Sequence, residues 1–129
     1  MSTPAEHELL KCTRELLECI AAHDWASYER LCDPSLTAFE PEARGQLVEG
    51  LAFHKFYFDL PASSGPRHTT LCAPRVRVVG DVGIVTYVRL TQRLDGNARP
   101  ATSAIEETRI WQRTEGGWRH VHFHRSAPQ

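Results

Sequence analysis

The chain has 129 residues, 41% of them hydrophobic, with a formal net charge of −1. That length suits one domain around one core, and the apolar content rules out wholesale disorder. A near-neutral balance gives no positive field to hold nucleic acid or an anionic membrane, no apolar run is long enough to span a bilayer, and no signal-peptide core follows Met1, so the expectation is a soluble, cytoplasmic protein. Thr3-Pro4-Ala5-Glu6 reads as a capping box with proline at the first helical position, opening a helix to about Ala22. Its apolar stripe is Leu9, Thr13, Leu16, Leu17 and Ile20. Asp24 caps a second, shorter helix with Trp25, Tyr28 and Leu31 inward, and Asp33-Pro34 ends it. Leu36 to Phe39 reads as a short strand, Pro41 to Gly50 as irregular, and Leu51 to Leu60 as a third helix stopped before Pro61. Pro61 to Pro66 is a loop. Strands follow: His68 to Leu71, Arg75 to Val79, a turn at Gly80-Asp81, Val82 to Leu94, and a turn at Asp95-Gly96-Asn97. The four cysteines, Cys12, Cys19, Cys32 and Cys72, form no C-x-x-C pair and read as reduced, mostly buried residues. Helices first and an antiparallel meander after them imply an α+β fold with a cleft between sheet and helices, in a single domain over residues 1–129.

The last stretch, Ala104 to Ser126, reads as a hairpin whose loop length fixes its faces. A two-residue loop, Glu115-Gly116, puts Arg109 and Arg125 on opposite faces. A three-residue loop, Glu115-Gly116-Gly117, pairs Thr114 with Trp118, Trp111 with Val121, Arg109 with Phe123 and Glu107 with Arg125. The second glycine suits a bulged turn, so the three-residue loop is preferred. Trp111, Val121 and Phe123 then share a face with both arginines and Glu107. Two guanidiniums on an apolar floor form either an internal ion-pair network with Glu106, Glu107 or Glu40, or a pocket for a carboxylate.

His120, His122 and His124 alternate along one strand, so all three are expected on one face. That spacing suits zinc, but no further ligand is placed to complete a site, and no metal or cofactor is expected. Asp24 and Asp33 are used in capping and turn roles, which leaves His54 as the one attractive general base. Phe53, Phe56, Phe58, Trp111 and Phe123 read as core.

Several strings resemble the association (hub) domain of calcium/calmodulin-dependent protein kinase II, within the nuclear transport factor 2-like superfamily. They are Tyr28 to Pro34, Thr37 to Ala43, Leu47 to Leu51, Phe53 to Phe58, His68 to Thr70, Glu106 to Arg109 and Val121 to Ser126. The resemblance implies a cone-shaped fold of the NTF2-like (cystatin-like) type, with a long N-terminal helix and two shorter ones on a curved, mostly antiparallel, six-stranded sheet. It implies a homo-oligomer of stacked rings that gathers tethered kinase domains, and no catalysis. It also implies a cleft lined at Arg89, Arg109 and Arg125, with His54 and Tyr57 reaching in, able to bind a small carboxylate. The sequence departs from the family in the short loop Asp59 to Pro66, which lacks a tryptophan, and in having no glycine-rich loop, His-Arg-Asp or Asp-Phe-Gly kinase motif. Other readings of the same fold are a small enzyme of the steroid-isomerase or polyketide-cyclase type and a dimeric ligand-binding protein.

Overall fold

A computed structural model describes residues 2–129. Helix α1, Pro4–Ala21, opens as its sequence dictates: Thr3 accepts from the Glu6 backbone N–H, and the Glu6 carboxylate accepts from the Thr3 N–H. It buries Leu9, Thr13, Leu16, Leu17 and Cys19. Helix α2, Trp25–Leu31, is capped by Asp24 and buries Tyr28 and Leu31. Helix α3, Ala52–Phe58, is only two turns long. Its Phe58 packs on Tyr28 and Trp25, with ring centroids 4.7 and 5.3 Å apart, and its His54 lies 5.3 Å from the Phe123 ring.

The strands are β1 (Cys32–Phe39), β2 (Val48–Glu49), β3 (Arg67–Val79), β4 (Val82–Leu94), β5 (Pro100–Thr114) and β6 (Gly117–Arg125). They form one six-stranded sheet in the order β2-β1-β6-β5-β4-β3. Among the described residues only β1 and β6 run parallel; every other pair is antiparallel. The α+β, NTF2-like layout expected from the sequence is what forms. Two segments differ from expectation in extent. Strand β1 begins at Cys32 and includes Asp33-Pro34, and β3 runs unbroken through the Ala73-Pro74 irregularity. Ala73 takes φ of +48° there. The segment read as irregular holds a 3-10 turn, Pro41–Ala43, and the short strand β2.

The β5–β6 hairpin differs from expectation in its loop. Thr114 pairs with Gly117, so the loop is the two-residue Glu115-Gly116. Trp111 faces His120, while Ile110 faces His122, which leaves Val121 as an extra residue in β6. The extra residue is thus a bulge at Val121, inside the strand, and not the third loop residue Gly117. Beyond the bulge the register is the expected one, with Arg109 opposite Phe123 and Glu107 opposite Arg125.

That bulge also corrects the histidine reading. An inserted residue reverses the facing of everything after it. Trp118 and His120 point into the core before Val121, and Phe123 does so after it. His120 is fully buried, whereas His122 and His124 lie on the other face beside Phe39, at 6.1 and 5.7 Å between centroids. The three histidines do not share a face. Phe56 is a second correction: it is 62% exposed, while Phe53 and Phe58 are half-buried against the core. A two-turn helix has one inward face, and His54 with Phe58 fills it.

Candidate functional site: a polar cleft on the helix side of the sheet

Along β4, β5 and β6 the inward side chains form successive rows, about 6.7 Å apart by strand geometry. One row is Gly83, Trp111 and His120; the next is Val85, Arg109 and Phe123; the next is Tyr87, Glu107 and Arg125. Apolar rows therefore give way to charged ones along the same strands. The charged rows face α1, α2 and α3 across a cavity of about 260 Å³.

Arg109 lies at the bottom and is 2% exposed. Its Nε donates to the Tyr87 hydroxyl at 2.8 Å and its Nη2 to Glu107 Oε1 at 3.3 Å. Its guanidinium carbon stacks 4.7 Å from the Phe123 ring centre. Tyr87 donates to Glu107 Oε1 at 2.5 Å, and Arg89 Nη2 donates to Glu107 Oε2 at 2.9 Å. Glu107 thus accepts from three partners. Burial pushes its carboxyl up, but the Arg109 and Arg89 guanidiniums and the Tyr87 hydroxyl outweigh that and leave it below the ordinary glutamate value. Burial lifts the Tyr87 phenol to about 12.

His120 Nε2 is 3.5 Å from Arg109 Nη1, and its Nδ1 is 3.5 Å from Cys32 Sγ. A guanidinium can only donate, so Nε2 accepts and the ring proton sits on Nδ1. Burial, then the Arg109 charge, holds His120 well below the usual imidazole range, consistent with that neutral form.

The cleft walls come from segments distant in sequence. His54 Nε2 meets Glu40 Oε2 at 2.6 Å, both side chains buried. Arg125 is bound by Glu42, across 83 positions. Tyr57 lines the mouth. Arg89, Arg109, Arg125, His54 and Tyr57 all line this one cavity, and Glu107 lies beneath it, joining Arg89 to Arg109. Of the glutamates offered as arginine partners, Glu107 serves; Glu40 holds His54 instead, and Glu106 is exposed. Two atoms stand out as unused. His54 Nδ1 and Arg89 Nε are buried with no hydrogen-bond partner.

The sequence reading missed Tyr87 and Glu42, and it gave Glu40 to the arginines and His120 to a shared histidine face, where the structure gives them to His54 and to Arg109. Tyr87 was legible, because Val85, Tyr87 and Arg89 alternate with Arg89 already singled out. Glu42 and Glu40 gave no periodic signal, since Glu42 lies within the 3-10 turn and Glu40 just before it. Among the described residues, no group of three or more metal-ligating side chains could hold an ion. Proton transfer by Glu107 would need a carboxyl that gains and loses its proton near neutrality; a threefold-bound carboxylate with a depressed value does not.

Residues 5–129 match the family model of the calcium/calmodulin dependent protein kinase II association domain. The rabbit (Oryctolagus cuniculus) calcium/calmodulin-dependent protein kinase type II subunit delta is 50% identical over 125 residues, which cover 95% of this chain and 24% of that protein. The chain therefore spans about a quarter of that relative. The association domain of the C. elegans kinase superposes with a TM-score of 0.89 at 44% identity, covering 94% of each chain. The hub homology domain of Chlamydomonas reinhardtii superposes with a TM-score of 0.86 at 49% identity, covering 93% of this chain and 95% of that one. An NTF2-like superfamily protein from Salmonella enterica, 22% identical with a TM-score of 0.76 over 97% and 92% of the two chains, shares the fold alone. With its family match running over residues 5–129 and its backbone matching solved hubs over nearly their whole length, this chain belongs to the calcium/calmodulin-dependent protein kinase II association-domain family.

Proposed function

We propose that this chain is an oligomerisation module that assembles with copies of itself into a large ring-like particle, and that in a longer protein it gathers tethered kinase domains. The observation that carries this is the likeness to association domains over 94% of both chains. Large apolar side chains left in water support it. Phe56, Tyr57 and Leu60 are exposed along and just beyond α3, and Val79 with Val82 at the tip of the β3–β4 hairpin. Grouped exposed apolar residues mark surfaces that meet a partner. Light scattering at micromolar concentration is expected to give a particle well above a dimer, and Phe56→Glu to lower its mass. A wild-type monomer or dimer would reject the ring.

The same fold offers a cleft for a small carboxylate. Arg109 has its three nitrogens committed to Tyr87, Glu107 and His120, so its part is to hold the floor. Arg89, Arg125, His54 and Tyr57 are left to touch the ligand, with buried Arg89 Nε and His54 Nδ1 as the unused groups. Each charge-assisted hydrogen bond is worth ~1.5–3 kcal/mol net, and association entropy offsets much of it. Calorimetric titration with butyrate is expected to give micromolar to millimolar binding. Arg125→Ala stays folded and loses it; Arg109→Ala is badly destabilised. Equal butyrate binding by wild type and a folded Arg125→Ala would sink the cleft.

A further inference from the structure

We propose that a second cavity, between the C-terminal half of α1 and the outer rows of β3, β4 and β5, binds a medium-chain α,ω-dicarboxylate. It has a volume of about 590 Å³, within the range of small-molecule sites. It meets the carboxylate cleft only at Ile20 and Arg89, which line both, and to that extent rests on the cleft reading.

The rows described for the cleft continue outward here. The outermost pairs Arg67 with Arg93, directly across strands. The next is Thr69, Thr91 and Ser103, three hydroxyls in a line. The third is Leu71, Arg89 and Ile105. Leu17 and Ile20 of α1 close the cavity from above, and Arg14 adds a third cation at the mouth.

Like charges directly opposite on neighbouring strands destabilise a sheet. Arg67 and Arg93 have that arrangement, and among the described residues neither they nor Arg14 forms an ion pair. Glu18 is the one acidic side chain in the lining among the described residues. Arg14, Arg67 and Arg93 against a single glutamate leave the lining net positive, which suits an oxyanion. At the inner end Arg89, whose Nη2 is held by Glu107, keeps a buried Nε with no partner among the described residues. Read inward, the cavity offers cations, hydroxyls, and then aliphatic walls around one further cation.

An aliphatic chain with an acid at each end matches that sequence of surfaces. A monocarboxylate leaves one cationic end unmet, and a short diacid cannot reach both. Arg93 and Arg89 are four residues apart on β4, about 13 Å along the strand. Hydrogen bonds of about 2.8 Å from a guanidinium to each carboxylate make up the difference between that gap and a chain of roughly eight to ten carbons.

The test is calorimetric titration of the whole chain at low salt with succinate, adipate, suberate, sebacate and octanoate, with butyrate in parallel. Affinity is expected to rise along the diacid series to suberate or sebacate, about tenfold above both succinate and octanoate. Arg93→Gln removes that preference, leaves butyrate binding unchanged, and without ligand melts no lower than wild type, because it relieves the Arg67–Arg93 repulsion. A flat dependence on chain length, or sebacate binding unaltered in Arg93→Gln, overturns the proposal. So does a marked fall in the melting temperature of ligand-free Arg93→Gln, which would mean Arg93 is already held within the fold. If butyrate fails to bind while sebacate binding depends on Arg93, the cleft reading fails and this one stands.

Discussion

Arg109 carries a charge in a place that a hydrophobic side chain of equal volume could fill. Its cost is offset by a closed set of partners: Tyr87, Glu107, the Phe123 face and a neutral His120. Breaking a buried set by removing one member leaves the others uncompensated, so Arg109→Met is expected to cost about 3–5 kcal/mol. Urea unfolding measures it; a loss under 1 kcal/mol would show Glu107 satisfied by Arg89 and Tyr87 alone. His120 makes the same network sensitive to acid. Its folded value lies well below the ordinary 6.5, so below that pH the unfolded chain takes a proton that the fold refuses. The stability is therefore present above about pH 6.5 and declines as pH falls. One such group gives a loss of about 1 kcal/mol between pH 6.5 and 5.5. His120→Asn should start less stable and show a flatter profile across that window. An unchanged slope would assign the pH dependence to other groups, the half-buried His122 first among them.

Among the elements, α1 and β4 are tied by a missing side chain. A Cβ placed on Gly83 would sit 2.5 Å from Leu9 Cδ1, and Leu9 is fully buried. The glycine lets the helix lie against the strand; its φ is unexceptional, so space and not backbone freedom is the reason. Gly83→Ala is expected to cost about 1–3 kcal/mol through overpacking. The double variant with Leu9→Ala should lose less than the sum of the two single losses, because shortening Leu9 makes room for the added methyl, which in turn fills part of the space left. Additive losses measured by thermal melting would place the strain elsewhere. Strand β6 depends in a different way on one residue. Val121 is the bulge that lets His120 and Phe123, an odd number of positions apart, both face inward. Their rings stack at 5.6 Å.

For the whole molecule, folding and assembly should be linked. If copies associate only when folded, mass action stabilises the native state as protein concentration rises. The melting temperature of wild type is therefore expected to increase with concentration, and that of Phe56→Glu to depend on it less. A concentration-independent melt for a particle shown to be oligomeric would mean that subunits unfold without dissociating. Charge contributes little at this scale, given a formal net charge of −1.

What the sequence by itself determined is everything that local physics dictates. The capping box fixes the start of α1, Asp24 caps α2, and period-two alternation marks β4 from Val82 to Leu94 to the residue. The pairings Arg109 with Phe123 and Glu107 with Arg125 were also legible, although the reason offered for them was a longer loop. The bulge at Val121 was not, because an inserted residue leaves the composition of a strand unchanged and shows only against its partner. The facing of the three histidines went with it. The exposure of Phe56 was hidden too, since an aromatic on a two-turn helix reads the same whether its neighbour is core, water or another subunit. The cleft was half legible. Glu107 and Arg109 stand on a strand whose alternation puts them on one face, and Arg89, His54 and Tyr57 were named as cleft residues from resemblance. Glu40 and Glu42, which bind His54 and Arg125, lie on a short irregular segment with no period. Which carboxylate meets which cation across 83 positions is set by the crossing of β1 beside β6. Only the tertiary structure decides that, because ion pairing at such separation depends on where the chain returns and not on what lies next to it.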